Sequence, residues 1–532
     1  MHIQYLGSDS LRGREPGTRG GELAADYIAE QLATYGLAPA GPDGSYFQGV
    51  PTHGSRTLPG TRLTIVRDGP STDLNYGDDY LLYSGGDATH IARPVPLIFV
   101  GYGIVAPEYD YSDYQNVDVR GAVVLFLAGE PASKDPRYFD GDPLTWHAMA
   151  EVKRNVALSH GARGTIQLPA PGDGARLRVL DRDRPAGAPL SRREAEQQGW
   201  ERKQEFGTEY RTLAYAPPEQ FAALLNPRVA ASIFASAPFS YDDVCTMDSL
   251  GEMRSFPLRA RMSFRGRFHG REFISPNVAA VLRGVDPLQR DSYLILSAHY
   301  DGLGIGSPIE DDSIYNGVID NASGVAALLE MARSMSGRAE RPARSVLFLF
   351  LTGEETGLLG SRYYCDHPLV PLHRTSAALN VDGIAFLDTF EDVVGVGAEH
   401  STLGDALAGV AARLGLSISP IPSAFQVRDE FQRSDQYAFA QAGIPSILIQ
   451  EGLRFTNLSS EDGLWRYLDW GLRVYHSPFD DLHQPVRMEA SLEHIRVLQA
   501  MADTLACGTF EPQWQAHSPF LMARLRSIAE GR

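Results

Sequence analysis

Two adjacent carboxylates, Glu354 and Glu355, stand where the apolar run "SVLFLFL" gives way to "TGEETG". Acidic residues are also ordinary there, because they suit a solvated strand end and the positive N-terminal end of a following helix. A chemical role requires other ligand-type side chains at the same rim, and several are present. His299 and Asp301 close "YLILSAHYD", Asp320 and Asn321 precede the helical run that begins at Gly324, Asp382 follows "AALNV", and His476 lies in "VYHSPFDD". In an open parallel sheet the carboxyl ends of the strands border the ligand crevice. His299, Asp320, Glu355, Asp382 and His476 are then expected to converge as imidazole and carboxylate donors, a set suited to zinc or a similar borderline cation. Successive strand residues point to opposite sides, so Glu355 can bind metal while Glu354 faces the metal-bound water as a general base. The same alternation puts His299 and Asp301 on one side, where Asp301 can orient the imidazole.

Such a rim needs a scaffold, and the second half of the chain supplies the pattern of one. "YLILSAHY", "SVLFLFL", "AALNV" and "IPSILIQ" read as strands, and "GVAALLEMARSM", "LGDALAGVAARLG" and the closing "SLEHIRVLQAMADTLA" as helices. This alternation predicts an α/β fold, a doubly wound, mixed and largely parallel sheet with helices on both faces. An amphipathic helix is expected over residues 20–36, stopped by Gly36. From Pro94 to about residue 260 the texture changes to short strands ("VPLIFVGYGIV", "GAVVLFLAG"), a short helix ("EVKRNVALSHGARG") and the polar, loop-like "DRDRPAGAPLSRREAEQQ". "RSFPLRARMSFRGRFHGREF" alternates as edge strands do. The expected division is therefore 1–93, a smaller β-rich insert over 94–260, and 261–532 with the site.

Composition narrows the partners. A formal charge of −18 over 532 residues argues against nucleic acid, whose phosphates need clustered Lys and Arg, and equally against an anionic membrane surface. No run of about 18 apolar residues is present, so no transmembrane segment is expected. Cys245, Cys365 and Cys507 are too widely spaced for a thiolate metal site and leave room for one disulfide at most. Lys134, Lys153 and Lys203 are the only lysines among many arginines.

The blocks "SAHYDGLG", "NGVIDNASGVAALLEMA", "LFLTGEETGLLGSRYY", "LNVDGI", "RSDQYAFAQAGIPSILI" and "VYHSPFDDL" resemble, in order, those of the co-catalytic di-zinc aminopeptidases, a family that includes relatives such as glutamate carboxypeptidase and glutaminyl cyclase. "LRGREPGTRGGELAADYIAEQL" is similar to that family's opening helix, and the 94–260 segment resembles the protease-associated domain often inserted there. The resemblance implies that Asp320 bridges two zinc ions, that His299 and Asp382 complete one site and Glu355 and His476 the other, and that Glu354 is the base. It also implies that Asp480 shapes the His476 loop, that Ser434 and Asp435 border the substrate pocket, and that the Asp320–Asn321 peptide is cis. The activity implied is removal of N-terminal residues from peptides with a free amine. A carboxypeptidase or dipeptidase would need pocket arginines to clamp a carboxylate, for which Arg428 and Arg433 are candidates. A glutaminyl cyclase would need one working metal, and a non-catalytic ectodomain none. Family members are usually secreted or periplasmic, whereas "MHIQYLGSDSLRGREPG" lacks the regions of a signal peptide, so a cytoplasmic location stays open.

Overall fold

The structure is a computed structural model that describes residues 1–67, 69–84, 89–135, 137–139, 141, 145–168, 208–212, 221–422 and 430–531. The polar stretch at 181–198 and Arg428 lie outside the described residues. Contacts divide the chain into two units. One comprises Met1–Thr52, Tyr210–Ala214 and Phe273–Arg532, and the other His53–Glu209 and Tyr215–Glu272.

In the first unit, four strands run parallel in the order Ser345–Leu351, Tyr293–His299, Thr375–Asn380 and Ser446–Glu451. Antiparallel strands flank them, Phe268–Leu282 on one side and Asp392–Val396 on the other, so the sheet is mixed. "SVLFLFL" is buried at every position because both faces of its strand are covered. Its residues 346, 348 and 350 pack with the helices Arg19–Thr34, Gly324–Gly337, Leu403–Leu414 and Met488–Cys507, while Leu347, Leu349 and Leu351 pack with Tyr364, Leu372 and Phe439 on the opposite face. The expected N-terminal helix forms over Arg19–Thr34, with the Thr18 hydroxyl accepting from Gly21 N–H, and the chain leaves it through Gly36 at φ +74°. Met488–Cys507 is not the closing helix, since Leu521–Glu530 follows it.

The second unit holds an eight-stranded mixed sheet with three parallel pairings, through His90–Val100, Val123–Leu127, Gly164–Leu168 and Ala222–Leu225. Arg62–Val66, Thr72–Asn75 and Tyr80–Ser84 pair into this sheet, so the unit begins at His53 and the expected boundary at 94 falls inside it. The other boundary lies at 272/273 rather than 260. Ser255–Arg265 is not an edge strand. It pairs with Arg62–Val66 on one side and His90–Val100 on the other, and its alternating pattern reflects burial of every second residue.

Lys153 is buried in this unit on the helix Ala150–Ser159, where its ammonium donates to the carbonyls of Leu127 and Gly129 and lies 5.7 Å from the ring centres of Tyr102 and Phe126. Burial lowers its pKa to about 7, against the opposing pull of Asp113 and Glu130. Between pH 7 and the unfolded value near 10.5 the unfolded chain therefore binds more protons than the folded one, and stability rises with pH. Denaturant unfolding followed from pH 7 to 10 should show this rise in the wild type and lack that component in Lys153→Met.

Candidate metal centre

The ligand-type residues arrive from five separate segments. His299 is the last residue of its strand, and Asp382 lies two residues beyond Thr375–Asn380. Asp320 sits in the buried turn Val318–Ser323 that enters the helix Gly324–Gly337, and its peptide bond to Asn321 is cis. His476, at φ +55°, follows the helix Ser460–Arg473. Glu354 and Glu355 are not on a strand: Ser345–Leu351 has already ended, and the pair occupies a turn. What aims them is Asp301, whose Oδ1 accepts from Glu354 N–H at 3.1 Å and whose Oδ2 accepts from Glu355 N–H at 3.3 Å.

Two trios result. One donor atom each from His299, Asp320 and Asp382 falls within 4.8 Å of the others, and so does one each from Asp320, Glu355 and His476. His299 Nε2 is 3.2 Å from Asp320 Oδ1 and 3.3 Å from Asp382 Oδ1, while His476 Nε2 is 3.1 Å from both Asp320 Oδ2 and Glu355 Oε2. A single imidazole nitrogen facing two carboxylates at once is a poor hydrogen-bonding arrangement but a good cation site. Asp320 turns a different oxygen to each trio, as a bridging ligand would. The donor set thus fits two borderline cations sharing one carboxylate.

The surrounding charges are arranged to match. Burial pushes Glu354 well above the usual carboxylate range, aided by Asp382, Glu355 and Asp435 and opposed by His299. Its carboxylate hydrogen-bonds to no other side chain among the described residues. Burial acts against Asp320 too, yet hydrogen bonds from His299 and His476 hold it well below that range. His476 moves up to about 10, because Glu355 and Asp320 outweigh its burial. Asp480 is raised to about 7 by burial, and accepts from the backbone N–H of Ile319 at 2.9 Å and of Asp320 at 3.0 Å. It therefore holds the turn that carries Asp320.

The remaining expected residues surround the two trios. Asp301 Oδ1 is 3.6 Å from His299 Nδ1, an ion-pair distance rather than a hydrogen bond. Ser434 and Asp435 are both buried, the first accepting from Asn380 Nδ2 at 2.8 Å and the second from the Ser361 hydroxyl at 2.6 Å. The structure thus engages them with neighbouring side chains inside the unit. Arg433 is exposed, its guanidinium 3.4 Å from the Tyr475 hydroxyl. Two residues were missed. The Tyr475 ring stacks on His476 at 3.8 Å, a signal present in the sequence as an aromatic next to the histidine. Arg14, fully buried, donates to the carbonyls of Leu6, Tyr300, Asn316 and Gly317 and so ties the segments leading into Asp301 and Asp320. Its only signal was the "LRGR" turn.

The fold is mixed α/β, and the cluster has the donor set of a metal centre. Residues 277–502 match the profile of Peptidase family M28. The chain is similar to leupeptin-inactivating enzyme 1 of Streptomyces exfoliatus, 29% identical over 39% of this chain and 43% of that protein, and to a probable leucine aminopeptidase 2 of Aspergillus oryzae, 32% identical over 32% of each. The matches thus span less than half the length of these relatives. Among solved structures, an aminopeptidase from Aneurinibacillus sp. strain AM-1 shares the fold over 96% of this chain and 93% of its own, with a TM-score of 0.51 at 19% identity.

Proposed function

We propose that the chain is a zinc-dependent aminopeptidase that removes N-terminal residues from peptides. The observation that carries this reading is the pair of trios sharing Asp320, with the buried carboxylate of Glu354 interacting with His299 and Asp382 beside them. Zinc, held by His299, Asp320 and Asp382 and by Asp320, Glu355 and His476, would supply Lewis acidity to the scissile carbonyl and lower the pKa of water. Glu354 accepts the water's proton and returns it to the leaving amine, a task suited to a carboxylate whose pKa is raised by burial. Asp301 keeps the Glu354 and Glu355 backbone in place during this transfer. We read the His53–Glu272 region as a protease-associated module and the location as secreted or periplasmic. No helix among the described residues is long and apolar enough to cross a membrane.

A carboxypeptidase or dipeptidase on the same scaffold is the second reading, favoured by the exposed Arg433 next to Tyr475, a cation that could meet a substrate carboxylate. One experiment separates the two. Peptides acetylated at the N-terminus should resist cleavage and peptides amidated at the C-terminus should be cleaved, with two zinc ions found per active chain by metal analysis. Faster turnover of acetylated than of free peptides supports the carboxypeptidase, and a single ion at saturation supports a cyclase.

A further inference from the structure

We propose that Asn321 is a positioning residue that sets the spacing between Asp320 and Asp382, and thereby the cation affinity of the His299 trio alone. The inference rests on the two-site reading above. Asp320 and Asp382 come from distant segments, yet both bring an oxygen within 3.3 Å of His299 Nε2, so two like charges must be held together. The Asn321 side chain is fully buried and spans the gap. Its Nδ2 donates to Val381 O at 3.0 Å, and its Oδ1 accepts from Gly383 N–H at 2.9 Å. Val381 and Gly383 flank Asp382, so the amide grips that residue from both sides as a neighbouring strand would. The same Oδ1 accepts from Gly324 N–H at 3.0 Å, which anchors the grip to the first turn of the helix. Gly324 permits this approach, since a Cβ there would lie 2.1 Å from Asn321 Oδ1.

Only asparagine meets these demands at this length, offering one donor to a carbonyl and an oxygen able to accept twice. Aspartate retains the acceptor and loses the donor; alanine loses both. The effect should be confined to one trio. Asp320 itself is held through its backbone by Asp480, and Glu355 through Asp301, neither of which depends on Asn321. Loss of the amide therefore releases Asp382 while leaving the other donors in place.

The test is a zinc titration of the metal-depleted full chain against a competing chromophoric chelator, with Asp382→Asn marking the step that belongs to the His299 trio. Circular dichroism establishes that each variant is folded. In Asn321→Ala that step should weaken by about 10–100-fold, the range typical of lost support behind a metal ligand, with the other step unchanged. Asn321→Asp should give a smaller loss of the same step, and carries the test if the alanine variant does not fold. Equal weakening of both steps, or no change in a folded variant, overturns the proposal. If the wild type itself binds fewer than two ions, the two-site reading falls, and this inference with it.

Discussion

Asp320→Ala is expected to leave a folded chain that holds neither zinc ion tightly and turns over roughly 10³-fold or more slowly. Each trio would be reduced to two donors, His299 with Asp382 and Glu355 with His476. Among the described residues Asp320 alone belongs to both trios, presenting one oxygen to His299 and the other to His476. The stability response should change in the same way. Ligands that bind only the folded state stabilise it in proportion to the logarithm of their concentration over Kd. Added zinc should therefore raise the melting temperature of metal-depleted wild type and have little effect on the variant. Metal analysis, melting curves and rates on one preparation decide the matter. Retention of one tight ion would mean that Asp320 belongs to a single trio, and the shared-carboxylate reading would be wrong.

Neutralising the neighbouring glutamates should produce two different failures. Glu354→Gln keeps the side-chain shape and all five donors of the trios but removes the proton acceptor, so turnover should fall by roughly 10²–10⁴-fold with both ions and most substrate affinity retained. Glu355→Gln removes an anionic donor 3.1 Å from His476 Nε2, so its first symptom should be loss of the ion shared with His476, partly restored by excess zinc. Rates and metal content measured together separate the two. Loss of metal from the Glu354 variant and not from the Glu355 variant would reverse their roles.

That division of labour was expected from strand alternation, but the pair does not stand on a strand. The apolar strand stops at Leu351, and the orientation of the pair is set by a turn whose two N–H groups are held by Asp301. Asp301, expected to steer the His299 ring, faces that ring at 3.6 Å and also accepts from the Glu354 and Glu355 backbone, a second task the sequence did not show. Neither fact is visible in a local pattern, because Asp301 is more than fifty residues from the turn it organises. Ser434 and Asp435 show the same limit. Both carry chemistry a substrate pocket would use, and their burial beside Asn380 and Ser361 depends on how distant segments pack.

By itself the sequence determined which elements form and which donor types stand at their ends. Strand and helix periodicities are local, and a run such as "SVLFLFL" can be buried on both faces wherever it lies, so the core strands and the helices Gly324–Gly337, Leu403–Leu414 and Met488–Cys507 were legible from spacing alone. The order of His299, Asp320, Glu355, Asp382 and His476 along those ends was legible for the same reason. The tertiary structure alone decided that Asp320 divides its oxygens between two histidines, that Asn321 and Arg14 brace the segments carrying the donors, and that the second unit begins at His53 and ends at Glu272, with Tyr210–Ala214 in the first unit. Each of these rests on a hydrogen bond or strand pairing between residues far apart in the chain, and such contacts are fixed by packing in three dimensions rather than by the spacing of neighbours.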